Sequence, residues 1–455
     1  MKKLSIIIVL VVGVLAALPI IGNQYVNSTM DNRISELQTH GIGIKNSTQN
    51  SSYLTSSKHY EFILNDSAKF IDFLNQYASS QIPPYVDSVI DGVVVGVDVE
   101  YSNIPFFSTV SVDIYPMNFS EKMMNSLKRK DIKFYDQLNT FLGSKGMNYH
   151  INYHLSSEQF DGYIKDIDQT FNLQDGTVLS VALNDTKFDG EGRLIAPQSS
   201  NLTLGNLKLN MTDKRNKFVF AVEDFQGSSK FASKATYNTD ISAKNFKFVV
   251  DEKYDDIYFD MNNVKGKFSS DDQGDKTKVF GDTYFKDMTI KGSDIDLVMK
   301  EFKYELSLTQ LDKELFAKLQ TLVSQNRANM SYKTQQEIEK TAIDLLSKGL
   351  EFNIKNISVD SIIYNKNKDY KSVTFNALVN LKEDPDFAQK IQRKPMEALK
   401  NIDMSSELVL SKELYEEMSK NGADLSAYAL IDGDKVTFKS LFKNGEFSVN
   451  GKPIR

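Results

Sequence analysis

Alternating apolar residues recur along this chain with a period near 39, and that period constrains the fold more than any other feature. Phe218, Phe220, Val222 and Phe225 are matched by Ile257, Phe259, Met261 and Val264 at an offset of 39 residues. Ile295, Leu297, Met299 and Phe302 repeat the pattern 38 residues further on. Leu179, Val181 and Leu183 form an earlier, degraded copy. Spacing at i, i+2 and i+4 puts these side chains on one face of a half-buried strand, and the step to i+7 implies a bulge or bend. Asn206 and Asn245, and Gly227 and Gly266, keep the same offset. A unit of this length holds several short strands, and stacked units give an elongated antiparallel meander or curved sheet. The fold class expected is α+β, mainly β.

The second constraint lies at the start. Met1-Lys2-Lys3 precedes an uncharged apolar run from Leu4 to Ile21 that includes Ile7, Val9, Val12, Leu15 and Ile20. Eighteen residues rising about 1.5 Å each span roughly 27 Å as a helix, close to a bilayer core of about 30 Å. Two lysines before the run and none just after it keep the N-terminus in the cytoplasm and send the body outward. Cleavage after Ala16 or Ala17 is the alternative. The apolar residues continuing to Ile21, and Pro19 close behind the cut, favour an uncleaved anchor.

Between and after these features the chain divides by composition. Residues 1–22 are the anchor or signal, and 23–58 a polar linker or stalk rich in Asn, Ser and Thr. Residues 59–310 make the β-rich, repeat-like body, with helix-like spacing interrupting it at 120–145. Residues 311–455 open with a helical hairpin: Leu315, Phe316, Leu319, Leu322 and Val323 form one stripe, then Thr334 is a plausible N-cap and Gly349 a terminator. Two strands follow, a helix broken near Pro395, and a closing β-hairpin around Asn444-Gly445.

Chemistry-bearing motifs are sparse. The chain has no cysteine, which removes disulfides and thiolate sites. Its net charge of −6 and scattered basic residues argue against nucleic acid. Of four histidines, His150 and His154 stand at i, i+4, but without the glutamate of a zinc helix they read as strand residues. Asp271, Asp272, Gly274 and Asp275 lack calcium-loop spacing and read as a hairpin turn. No catalytic residue, metal ligand or cofactor is assigned.

In the order and local pattern of its segments the chain resembles the YdgA-like bacterial envelope proteins, a family of unknown function. The likeness lies in the Lys-initiated apolar segment, the β-rich middle and the 311–349 hairpin leading into LEFNIKNISVDSI and SVTFNALVNLKEDP. It continues in IDMSSELVLSKELYEEM and the terminal NGEFSVNGKPI. The resemblance implies an inner-membrane-anchored protein facing the periplasm, and it supplies no catalytic residues. The expected function is non-enzymatic binding or scaffolding of hydrophobic or lipid ligands on the strand face carrying Phe218, Phe220, Val222, Ile257, Phe259, Met261, Ile295, Leu297 and Met299. Against an open face stands the plainer reading that a second sheet or the helices at 311–349 cover it. The alternative function is an assembly factor recruiting another envelope protein through exposed strand edges. The expected partners are accordingly the inner membrane through the N-terminal segment, and lipid or another envelope protein.

Overall fold

The computed structural model describes residues 34–454 apart from 52–54, 78–81, 83–85, 103–108, 194–195, 234–235, 253–255, 294, 326–330, 365–367 and 421–425. The apolar run at 4–21 lies outside the described residues. Among those described, no helix is long and apolar enough to cross a membrane. The fold is mainly β, with open antiparallel sheets. It divides into two compact units, 1–231 and 232–455, the border falling inside the span expected to be one body.

The first unit opens with helical residues 34–39 and the hairpin β1 (Ile42–Ser51) and β2 (Thr55–Leu64). The polar stretch expected as a linker is therefore paired backbone from Ile42 onward. β1 has almost entirely exposed side chains and pairs with β2 through Ile42↔Leu64 to Ser51↔Ser56. Its polarity reflects an outer strand, and composition cannot separate that from a stalk. Next come α1 (Ser67–Tyr77), α2 (Asp87–Ile90), β3 (Val94–Ser102) and β4 (Thr109–Asn118). The helical stretch at 120–145 is two helices, α3 (Glu121–Lys130) and α4 (Ile132–Gly143), broken at Asp131, whose carboxylate caps α4 by accepting from Phe134 N at 2.9 Å. Then follow β5 (Tyr149–His154), β6 (Gln159–Ile164), β7 (Ile167–Asn172), β8 (Val178–Asn184), β9 (Thr186–Arg193), β10 (Ala196–Thr212) and β11 (Lys217–Phe231).

The second unit is a meander of long strands: β12 (Tyr237–Asp251), β13 (Asp256–Gln273), β14 (Lys276–Lys291) and β15 (Asp296–Asp312). The hairpin α5 (Lys313–Gln325) and α6 (Tyr332–Ser347) interrupts it. Ser331, not Thr334, caps α6: its hydroxyl accepts from Thr334 N at 3.1 Å, so the cap lies three residues earlier than the sequence suggests. The sheet resumes with β16 (Leu350–Tyr364) and β17 (Lys368–Leu381). After these come α7 (Phe387–Arg393), α8 (Pro395–Leu399), β18 (Ile402–Ser411) and α9 (Lys412–Lys420). β19 (Leu430–Asp432), β20 (Lys435–Lys443), β21 (Glu446–Val449) and β22 (Lys452–Pro453) close the chain. Asn444 (φ 55°) and Gly445 (φ 81°) both hold the left-handed conformation that a two-residue hairpin turn between β20 and β21 requires.

The 39-residue period now has a physical basis. From β10 to β15 each unit of the repeat is two long strands, not several short ones, and β11, β13 and β15 each carry a left-handed residue where the apolar pattern steps by three instead of two: Asp224 (φ 48°), Asn263 (φ 50°) and Glu301 (φ 52°). One period earlier Asp185 (φ 53°) lies between β8 and β9. Asp and Asn tolerate this conformation best among residues with side chains. Pairing resumes past each kink with its offset unchanged, as in Asn262↔Asp287 and Lys265↔Tyr284 on β13 and β14. The partner strand thus skips together with its neighbour, and a transverse crease forms. Met261 and Val264, Met288 and Phe285, and Met299 and Phe302 bracket it on three successive strands.

Candidate functional site: the apolar sheet face

Across β12 to β16 the strand registers assemble a continuous apolar surface. One row runs Phe248, Phe259, Ile290, Leu297, Tyr364. The next runs Phe246, Met261, Met288, Met299, Ile362. Beyond the crease Phe285 stacks on Phe302, with ring centroids 4.6 Å apart. The most buried members are Val264, Phe285 and Met288, around which Phe246, Phe259, Met261, Ile290, Met299 and Phe302 pack half-exposed.

Val264, Phe285 and Met288 are the buried members of this face, and most of its other side chains stay partly exposed. Beyond their sheet neighbours, β14 and β15 chiefly touch α5, and they do so near the strand ends. There Lys313, the first residue of α5, bonds Asp272 of β13 at 2.8 Å. The helix α6 turns instead toward α7. Leu346 at its end packs on a separate small cluster of Leu381, Phe387 and Ala398.

The opposite face of the same strands is polar and internally satisfied. Asn245 donates to Asp260 at 2.7 Å and to Asn262 at 2.9 Å. Tyr258 donates to Asp260 at 2.8 Å, and burial together with that bond pushes the Tyr258 phenol up to about 12. Tyr284 likewise donates to the left-handed Glu301 at 2.9 Å. The sheet is therefore amphipathic across its thickness, with polar groups bonded among themselves and apolar ones left facing outward.

The expected face residues divide between the units. Phe259, Met261, Leu297 and Met299 lie in the two rows above. Ile257 sits at the start of β13 opposite Val250 and is 47% exposed. Ile295 lies in the turn just before β15, its carbonyl accepting from Gly292 N at 2.7 Å, and it is 49% exposed. Phe218, Phe220 and Val222 belong to β11 of the first unit, where they pair with Met211, Leu209 and Leu207 of β10. Leu4, Ile7, Val9, Val12, Leu15 and Ile20 lie outside the described residues. Sequence reading missed Phe246, Phe248, Met288, Ile290 and Ile362, which complete the rows. They sit on the intervening strands, where the 39-residue comparison does not look, although their own alternation is visible.

A second cluster occupies the polar face of the first unit. Asp98 on β3 accepts from His59 of β2 at 2.6 Å, from Tyr115 of β4 at 3.0 Å and from Lys145 at 2.6 Å. Gly96 makes this possible, because a β-carbon there would stand 2.4 Å from the Tyr115 ring. Burial pushes the Asp98 carboxyl up, but the bonds from Lys145, His59 and Tyr115 outweigh it and hold the group below the usual carboxylate range. His150 bonds Asp113 and His154 bonds Asp161, each at 3.0 Å, so both histidines lie on a strand and each faces its own aspartate. Among the described residues no group of three or more His, Asp or Glu side chains is gathered to hold a metal ion. The carboxylates here are bonded to neighbouring donors, and the arrangement braces five strands, β2 to β6.

Residues 146–455 match the model of a family described as a bacterial protein of unknown function (DUF945). The chain belongs to this family. The match begins just before β5 and takes in β5 to β22, hence the creased strands and the whole apolar face. No curated protein and no solved structure matches the chain.

Proposed function

We propose that this chain is an inner-membrane-anchored protein of the bacterial envelope, its body in the periplasm, that holds hydrophobic or lipid ligands without chemical conversion. The observation that carries the reading is the apolar surface on β12–β16, with rows of Phe, Met, Ile and Leu most of which stay partly exposed. Such a surface costs free energy in water and is an ordinary mark of a binding face. It carries no acid, base or nucleophile beyond tyrosine hydroxyls. What it offers a ligand is burial, worth about 0.8 kcal/mol per methylene. Three methionines in register, Met261, Met288 and Met299, give the floor a side chain that adapts to irregular chains. The Lys-initiated apolar run at 4–21 and the likeness to YdgA-like envelope proteins support the placement.

The test is native mass spectrometry, with lipid extraction, on the full chain purified from the producing cell beside a Phe259→Asp variant. Acyl lipid retained at a fixed stoichiometry by the parent and lost from the variant is the expected result. Equal lipid on both assigns it to the N-terminal segment and ends the proposal.

The assembly-factor alternative rests on β1, an exposed outer strand. Its Asn, Ser, Thr and Gln side chains offer little beyond backbone bonds to an added strand, which makes it the weaker reading.

A further inference from the structure

The first unit carries a cationic surface that its own stability does not explain. Lys122, Lys128, Arg129 and Lys130 of α3 and Lys133 of α4 are all exposed within twelve residues, in a chain whose net charge is −6. Among the described residues none of the five is ion-paired; Lys128 lies over the Tyr135 ring at 5.5 Å. Of the three nearby acids Asp136 is exposed on α4, three residues after Lys133, and the other two are otherwise placed. Glu121 stands in the first turn of α3, and Asp131 accepts from Phe134 N and Gln174 N, both at 2.9 Å.

Lys128, Arg129 and Lys130 in the last turn of α3 suit the negative end of a helix dipole. Lys122 and Lys133 do not, since they stand in the first turns of α3 and α4, where a cation opposes the dipole. Their presence argues for an anion outside the chain. Lys122, Asn125, Lys128 and Arg129 line a shallow depression of about 390 Å³, and Ile132, the first residue of α4, is 45% exposed. Cations rimming a depression, with one apolar side chain free to enter an interface, fit a sheet of phosphate head groups.

We propose that this face of α3 and the start of α4 docks on the anionic phospholipid surface of a bilayer. The source is taken as lipid because the same unit is preceded by the apolar run at 4–21, whose length fits a membrane. The inference does not depend on what the second unit binds.

The chain has no cysteine, so Ser126→Cys gives a single labelling position on α3. The labelled full chain is placed in nanodiscs carrying an acceptor dye on the head groups. Half the discs contain phosphatidylglycerol in phosphatidylcholine, and half phosphatidylcholine alone. Energy transfer is expected to be at least twofold higher in the anionic discs. It should fall to the neutral-disc level in high salt, and also on combining Lys122→Glu, Lys128→Glu and Arg129→Glu. The neutral triple Lys122→Gln, Lys128→Gln, Arg129→Gln should fall between. Equal transfer in both discs, or no change on charge reversal, overturns the proposal. So does loss of transfer on adding inorganic phosphate but not chloride at equal ionic strength, which would assign the site to free phosphate.

Discussion

The two units solve the same problem, a sheet with one apolar face, in opposite ways. In the first, strands β2 to β6 turn Phe62, Val97, Val99, Val110, Val112, Ile114 and Ile151 toward a shared core. Phe70, Ile71, Phe73 and Leu74 of α1 pack into it, leaving Phe62, Phe70, Val97 and Val110 essentially without solvent contact. In the second, Val264, Phe285 and Met288 are the buried members of the face of β12 to β16, and most of its other side chains stay half-exposed. Alternation along a strand fixes which residues share a face, and it says nothing about what lies above them. A cap is a tertiary matter that neither alternation nor closeness of a helix specifies, since amphipathic α5 follows β15 even more directly than α1 follows β2.

The sharpest break between the two faces is a truncation on each. Phe70→Ala in the sealed core should cost about 3–5 kcal/mol in chemical denaturation, because it leaves a cavity. Phe259→Ala on the open face should cost less than about 2 kcal/mol, since water already reaches the ring. Similar losses at both positions would mean that the second face is sealed. The crease gives the next test. Asn263→Val forces a β-branched residue into a left-handed position and should cost on the order of 1–3 kcal/mol, whereas Asn263→Gly should be neutral or mildly stabilising.

Acid should separate the units as well. The Asp98 carboxyl is held below its ordinary 3.8, so its contribution is complete above that value and is lost as pH falls through the folded pKa. The first unit should therefore lose stability as pH drops below about 4. Asp98→Asn should remove that component, as read from denaturation midpoints across pH. Smallest is the cap on α6, where Ser331→Ala should cost about 1 kcal/mol without altering ligand retention.

Much of the open face was legible in the residues themselves. The 39-residue period, its step to i+7 and the helical hairpin all follow from spacing, and each corresponds to a defined backbone feature. The number of strands per repeat was not legible, because a strand crossing the crease loses its alternation at one point and reads as two short ones. Nor was β1, since Asn, Ser, Thr and Gln serve an outer strand and a solvated linker equally well. The rows could be completed only with register. Phe259 meets Ile290 through a pairing that no local pattern specifies.

The unchanged pairing offset across each kink has a consequence for how such a chain can change in length. Every second strand carries the left-handed residue and its partner follows without it, so the smallest piece that can be added or removed with both faces intact is a whole 39-residue hairpin. Each such piece widens its sheet by two strand spacings, about 9.6 Å. A chain built this way is graduated like a ruler, its reach set by how many hairpins it counts.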